Sequence, residues 1–374
     1  IIGVDLVNYA EDIQWALQEI RALAKDDTRI VLTKINPLWS PLLRIASWLK
    51  LVRPRTYANW ISRQQFAQFL SLSGLECIRR ESLLLLPVRI PLLSWFVNTY
   101  LARLPLLRRL CLVEMVVCRA RPGEQVGVAP SVSVVIAARN EAGNIQAALE
   151  RMPAFPGALE VIFVEGHSTD GTWRVIQEAQ QKGGYPFTIK SAQQTGKGKG
   201  DAVRLGFELA THDLLMILDA DLTVPPEDLP RFYEILASKQ AEYVHGTRLV
   251  YSMEGQAMRP LNWLGNKFFS LLITFLLGQP ISDSLCGTKC LSRAAYARLA
   301  AGRSYFGEFD PFGDFDLIFG AARLGLKMEE IPIRYRARTY GETQIHRFRD
   351  GWLLLRMCAF ASKKLRFLPH IARV

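Results

Sequence analysis

Hydrophobic and polar positions alternate with changing rhythm along the chain. The apolar run "IIGVDLV" (1–7) predicts a buried strand, Asp12 to Ala24 has helical spacing, and "RIVLTKI" (29–35) predicts a second strand. Helical spacing returns near 38–50 and 64–73, and strands are predicted within 75–85 and 110–119. A stretch rich in charge, Gly and Pro, "RARPGEQVGVAPS" (119–131), interrupts the pattern and predicts a domain boundary near residue 122. Beyond it the apolar runs "VSVVIAA" (132–138), "LEVIFVE" (159–165), "PFTIKSA" (186–192) and "DLLMILDA" (213–220) are separated by helical periodicity. That order predicts βα units of a parallel sheet, in which ligands bind outside the carboxyl ends of the strands. The residues just after each run are therefore the candidates for chemistry.

Composition narrows the class. Of 374 residues, 49% are hydrophobic and 22% charged, which excludes a disordered tail, a collagen-like repeat and a small disulfide scaffold. The six cysteines are scattered without C-x-x-C pairs, as expected for reduced thiols in the cytoplasm. The chain opens on Ile1 and an apolar run, the pattern of a piece cut from something longer. The longest apolar stretches, 268–278 and 352–361, are shorter than the ~18–20 residues a membrane-spanning helix needs. The net charge of +11 predicts an anionic partner: nucleic acid, a lipid surface or a phosphate substrate. It divides unevenly: residues 1–122 hold 17 basic and 9 acidic groups, 123–333 hold 19 and 24, and 334–374 hold 10 and 2. The central region is acidic, and the basic excess sits at the two ends, which suits a diphosphate and anionic lipid better than a nucleic-acid groove.

Candidate chemistry follows the strand ends. After the first run of the second region come Arg139, Asn140 and Glu141; after the second come Glu165 and "HSTDGT", where Ser168, Thr169 and Asp170 are natural N-caps. After the third lies "TGKGKGDAVRLGF", a Gly/Lys loop opening a helix, in which Lys197 or Lys199 faces phosphate oxygens; its spacing is not that of a Walker loop. After the fourth, "MILDADLTVPPEDL" sets Asp219 and Asp221 two residues apart. In extended chain such positions point the same way, and two carboxylates so placed suit a hard divalent ion that keeps sites open for a diphosphate.

Residues 131 to about 350 resemble a glycosyltransferase family 2 catalytic domain of the GT-A fold, in the branch similar to dolichyl- or polyprenyl-phosphate sugar synthases. "VVIAARNE", "FVEGHSTDGT", "GKGKGDAVRLGF", "LDADLTVPPEDL", "HGTR", "DSLCGTK", "FGDFDLIF" and "RARTYGETQI" occur in the family's order. The resemblance implies an α/β, Rossmann-like and mostly parallel sheet. It also implies a metal-dependent inverting transfer of a hexosyl group from a nucleotide-diphosphate sugar to a lipid-phosphate or other membrane-proximal acceptor. It assigns donor contacts to Asn140, Glu141, Glu165, Asp170, Lys197, Lys199, Asp219 and Arg248, and gives Arg338 and Thr343 to a closing loop. Mg²⁺ or Mn²⁺ falls to Asp219 and Asp221, and the catalytic base to Asp314 or Asp316. One departure is local: where the family has "DDGSTDGT", this chain has Glu165, Gly166 and His167, a longer carboxylate with one fewer charge.

Residues 1–122 resemble the C-terminal half of a class I S-adenosylmethionine-dependent methyltransferase, with "GVDLV" as the fourth strand and the last two strands as an antiparallel pair. The Gly-rich cofactor turn of that fold has no counterpart here. The expected organisation is therefore a partial methyltransferase-like unit (1–122), a catalytic domain (123–350) and an amphipathic basic segment (351–374). The segments 262–283 and 348–367, apolar and interspersed with basic residues, predict peripheral attachment to the cytoplasmic face of a membrane. Rival readings are a methyltransferase/glycosyltransferase fusion incomplete here, a nucleotidyltransferase, and a basic nucleic-acid-binding protein, the last unsupported by any nucleic-acid motif.

Overall fold

The computed structural model describes residues 1–52, 59–123, 128–248, 260–303, 315–334, 336, 340 and 347–367. The chain divides into two compact units, Ile1–Gly123 and Glu124–Val374.

In the first unit, β1 (Ile2–Gly3), β2 (Ile30–Ile35), β3 (Leu75–Leu83) and β4 (Val113–Ala120) form a sheet of order β1-β2-β4-β3. β1 runs parallel to β2, whereas β4 is antiparallel to both β2 and β3. The expected strand over 1–7 is cut short at Gly3. Asp5 adopts a left-handed conformation, exchanges hydrogen bonds with the Thr33 hydroxyl, and turns the chain into a short helix α1 (Leu6–Tyr9). Buried Asn8 fixes that turn by accepting from Ile35 N–H at 2.8 Å. Helix α2 (Ile13–Leu23) starts where Asp12 accepts from Trp15 N–H, and α4 (Arg63–Leu72) starts on a reciprocal Ser62/Gln65 capping box. Leu17 of α2 and Phe66 and Leu70 of α4 pack on Ile30, Leu32, Leu75 and Val116.

The second unit is a seven-stranded sheet of order β11-β9-β10-β8-β5-β6-β7. Its strands are β5 (Val132–Ala138), β6 (Leu159–Glu165), β7 (Thr188–Gln193), β8 (Leu214–Ile217), β9 (Tyr243–Thr247), β10 (Lys289–Ser292) and β11 (Met328–Pro332). All neighbours are parallel except β10, which is antiparallel to β8 and β9. Alternate strand residues face two cores, as the period of two requires. Val135, Ile162, Leu215 and Ile217 pack against α8 (Lys199–Leu209), α10 (Pro260–Leu277), α11 (Arg293–Ala301), α12 (Phe315–Arg323) and α13 (Arg347–Ser362). Val134, Ile136, Val161 and Phe163 pack against α6 (Ala142–Glu150), α7 (Thr172–Lys182) and α9 (Leu229–Ala237). The fold of this unit is thus the α/β, mostly parallel architecture that the sequence predicts. Much of the apolar character of 262–283 and 348–367 is core: Ile273, Leu276 and Leu277 of α10 and Leu354, Met357 and Cys358 of α13 are buried together. Among the described residues no helix is long and apolar enough to cross a membrane.

One polar cluster pins the sheet at the end away from the candidate site. Buried Glu160 accepts from Ser133 Oγ at 2.6 Å and Thr211 N–H at 2.7 Å, and pairs with Lys190 at 2.7 Å. Burial pushes its carboxyl up, but Lys190, Ser133 and Thr211 outweigh that and bring it down to about 2. A depressed carboxyl stabilises the fold above its unfolded value of 4.5, and that contribution is lost as pH falls through about 2. Glu160→Gln is therefore expected to lose about 2–3 kcal/mol in guanidinium unfolding at neutral pH. The difference from the parent chain should shrink as the pH is lowered from 4.5 towards about 2.

Candidate active site

The loops at the carboxyl ends of β5, β6, β7 and β8 converge. After β5 the chain turns through Asn140 in a left-handed conformation, and a set of hydrogen bonds laces this turn to the one after β6. Asn140 N–H donates to Ser168 Oγ (3.0 Å), Thr169 N–H to Asn140 Oδ1 (2.9 Å), Glu141 N–H to Thr172 Oγ1 (3.0 Å) and Ala142 N–H to Asp170 Oδ2 (3.2 Å). Glu141 is buried and accepts from Asn144 Nδ2 at 2.6 Å. Helix α7 begins at Thr172 with Gly171, not one of the three candidate side chains, in the N-cap position; Asp170 accepts from Thr172 N–H at 3.1 Å. Burial works to raise the Asp170 carboxyl, but bonds from Thr172, Ala142 and Tyr340 hold it below the usual range.

Glu165 ends β6, fully buried, and accepts from Ser168 N–H and from Gln193 Nε2 at 2.9 Å. Its carboxyl, pushed up by burial, is drawn below the ordinary value by those donors. His167 is exposed and left-handed, a conformation rare for a side chain with a Cβ; it stands where the family motif has glycine. Gly166, in place of the family's second Asp, leaves room for Gln194: a Cβ added there would meet Gln194 Nε2 at 3.3 Å. Gln194 is buried, and its Oε1 has no partner among the described residues.

Asp219 and Asp221 lie in a turn rather than in an extended strand. β8 stops at Ile217, Leu222 N–H donates to Asp219 O at 3.1 Å, and Leu222 is left-handed. Lys199, the first residue of α8, donates to Asp219 Oδ1 at 2.6 Å. Burial would raise the Asp219 carboxyl, but Lys199, with Lys289 and Arg248 beyond it, holds it below the carboxylate range. Asp221 Oδ1 accepts from Thr223 N–H (3.1 Å) and Thr223 Oγ1 (2.8 Å). Lys197 is exposed.

Several site residues escaped sequence reasoning. Gly287 lies flat against Asp219, since a Cβ there would stand 2.0 Å from Oδ2. Lys289, wholly buried on β10, donates to Cys286 O at 2.6 Å. Asp283 grips Arg248 through two side-chain bonds of 2.6 and 2.9 Å, so the Arg248 guanidinium is engaged within the protein. A lysine inside the apolar "KCLS" strand and the acid and glycine of "DSLCGTK" were the available signals. Tyr340 of "RARTYGETQI" rests its ring over Gly143 and donates to Asp170 Oδ2 at 3.2 Å. Arg338, Thr343 and Asp314 lie outside the described residues. Asp316, in the first turn of α12, is buried and bound by Arg204 (3.3 Å) and Arg303 (3.2 Å).

No group of three acidic, His or Cys side chains suited to a metal occurs among the described residues. Asp219 and Asp221 supply two carboxylates just beyond the carboxyl end of β8, the oxygen-donor type that a hard divalent ion takes.

The second unit is a mostly parallel α/β sheet with acidic and basic side chains gathered in the loops at its strand ends. Residues 133–299 match the family described as Glycosyl transferase family 2. Among curated relatives, the low-salt glycan biosynthesis hexosyltransferase of Haloferax volcanii is 28% identical over 60% of this chain and 52% of its own. The dolichol-phosphate mannosyltransferase of Pyrococcus furiosus is 37% identical over 57% of this chain and 59% of its own. The dolichyl-phosphate hexose transferase of Haloferax volcanii is 29% identical over 59% and 88%. The chain thus spans about half the length of the first of these relatives. A solved structure, glucosyl-3-phosphoglycerate synthase of Mycobacterium tuberculosis with Mn²⁺, uridine diphosphate and glucosyl-3-phosphoglycerate, is similar over 67% of this chain and 87% of its own, at 19% identity and a TM-score of 0.47.

Proposed function

We propose that the second unit transfers a hexosyl group, with inversion, from a nucleotide-diphosphate sugar to a polyprenyl phosphate or another membrane-proximal acceptor. The observation that carries this reading is the Asp219–Lys199 pair just beyond the carboxyl end of β8, two residues from Asp221 and within the positive potential of Lys289 and Arg248. The names of the relatives support the acceptor class.

In the proposed reaction an acceptor oxygen attacks the anomeric carbon while its bond to the diphosphate breaks, and the electron pair leaves on the nucleoside diphosphate. Mg²⁺ or Mn²⁺ held by Asp219 and Asp221 would neutralise charge on that leaving group. Lys199, already at the carboxylate, is placed to take diphosphate charge as it develops, and buried Lys289 adds positive potential at low dielectric. Asn140, Glu141, Glu165 and Asp170 shape the nucleotide side of the cleft through the bonds that join its two turns, with Arg338 and Thr343 proposed to close over it. A phosphate acceptor is anionic and needs no base. For a hydroxyl acceptor Asp314 is the better candidate, because the two guanidinium groups on Asp316 suit a fixed anion that positions α12. The methyltransferase-like reading of residues 1–122 is kept as a proposal, supported by the order β1-β2-β4-β3 with its terminal antiparallel pair.

The test is a panel of nucleotide sugars offered to the full chain with Mg²⁺ or Mn²⁺, reading nucleoside diphosphate release with and without a polyprenyl phosphate. Release with one donor, stimulated by the lipid and abolished by chelator, is the expected result. Binding and turnover of none of the donors would overturn the reading.

A further inference from the structure

We propose that one end of the four-stranded sheet in the first unit is a docking surface for an anionic lipid bilayer. β2 ends at Ile35, β3 ends at Leu83 and β4 begins at Val113, and both Ile35 and Leu83 are in register with Val113. The segments that follow β2 and that join β3 to β4 therefore leave from the same sheet end. They are tied together there: Asn36 N–H donates to Leu112 O (2.8 Å), Trp39 Nε1 to Leu110 O (2.8 Å) and Leu112 N–H to Leu84 O (2.9 Å).

Both segments turn apolar side chains outward. Helix α3 (Ser40–Trp48) has no buried residue, although Leu38, Leu42, Ile45 and Leu49 recur at the spacing of one helical face and all are exposed. Helix α5 (Leu93–Thr99) and the turn at Leu107–Leu110 bury nothing either. Trp48 is 81% exposed, Leu92 82%, Leu106 79% and Trp95 60%. An apolar surface of this extent on a folded unit marks an interaction face. Its charge selects the partner. Residues 36–62 and 84–112 contain eight basic and no acidic residues, and Arg44, Lys50, Arg89, Arg108 and Arg109 are exposed beside the apolar positions. Tryptophan and leucine that enter the headgroup boundary, rimmed by cations that meet lipid phosphates, match a negatively charged membrane surface. A second copy of the same face would instead bring like charges together.

The experiment is flotation of the full chain with vesicles of phosphatidylcholine alone or mixed with phosphatidylglycerol, with size-exclusion chromatography in parallel. The chain is expected to float with the mixed vesicles, to float poorly with phosphatidylcholine, and to be released by ~0.5 M salt. Trp48→Ser combined with Leu106→Ser, at exposed positions that leave the core intact, is expected to lower the bound fraction at least ~10-fold. Trp352→Ser, exposed on α13 of the other unit, should leave binding unchanged. No flotation of the parent chain, or loss with Trp352→Ser but not with the paired variant, overturns the proposal. So does an oligomer that the paired variant disperses while vesicles capture neither protein. Flotation is read without donor or acceptor, so its outcome is independent of whether the second unit transfers sugar.

Discussion

Asp221→Asn is expected to leave the chain folded and to cut divalent-ion-dependent sugar transfer by ~10²–10³. The substitution is nearly isosteric. Its side-chain oxygen can still accept from Thr223 N–H and Thr223 Oγ1, the bonds that Asp221 Oδ1 accepts in the structure. What it removes is one negative charge beside Asp219, and with it half of the oxygen pair proposed to hold a divalent ion. Ligand charge weighs heavily in such sites, and ~3–4 kcal/mol of lost leaving-group stabilisation corresponds to that drop in rate. Circular dichroism and thermal unfolding should match the parent chain, while transfer assayed over a Mg²⁺ and Mn²⁺ series falls. Full activity in the variant would remove Asp221 from the proposed site.

Gly287→Ala should be nearly as damaging from a position that carries no functional group. Its backbone does not require glycine's conformational freedom, so the cost is steric: the new Cβ would stand 2.0 Å from Asp219 Oδ2 and 2.5 Å from Asp219 Cγ. The carboxylate has to move, and its 2.6 Å bond to Lys199 cannot survive in place. Displacement of about an ångström at a reacting centre costs on the order of 10²-fold. The expected loss is in kcat, with the apparent affinity for divalent ion weakened and the melting temperature close to the parent's. Gly351→Ala is the matched control, because nothing lies within 4 Å of a Cβ there. Equal activity of Gly287→Ala and Gly351→Ala would show that Asp219 does not need its observed position.

β5 and β6 were legible because each is a nearly continuous apolar run between helical segments, and they fall on Val132–Ala138 and Leu159–Glu165 as the pattern predicts; β9, β10 and β11 are short and mixed with polar residues, and the pattern did not predict them. The opening strand was misjudged because local rhythm cannot register a left-handed Asp5 held by Thr33, a partner 28 residues away. The two aspartates were read as alternate residues of an extended strand; the structure differs, because the chain has left β8 by Asp219 and enters a turn there. The apolar stretches at 262–283 and 348–367 looked like membrane contacts because hydrophobicity alone does not say whether a helix faces lipid or core. Much of their apolar surface packs inward.

By itself, the sequence determined the order of elements, the acidic character of the central region and the loops that carry chemistry, since these depend on side-chain type and on spacing within tens of residues. Only the tertiary structure decided which charges meet. Lys199 reaches Asp219 across 20 residues, Arg248 is claimed by Asp283 across 35, and Arg204 reaches Asp316 across 112, pairings that arise when separate strand ends and helices are packed side by side. Burial is likewise a property of the assembled fold. It is what separates the leucines of α10 that fill a core from those of α3 that face outward.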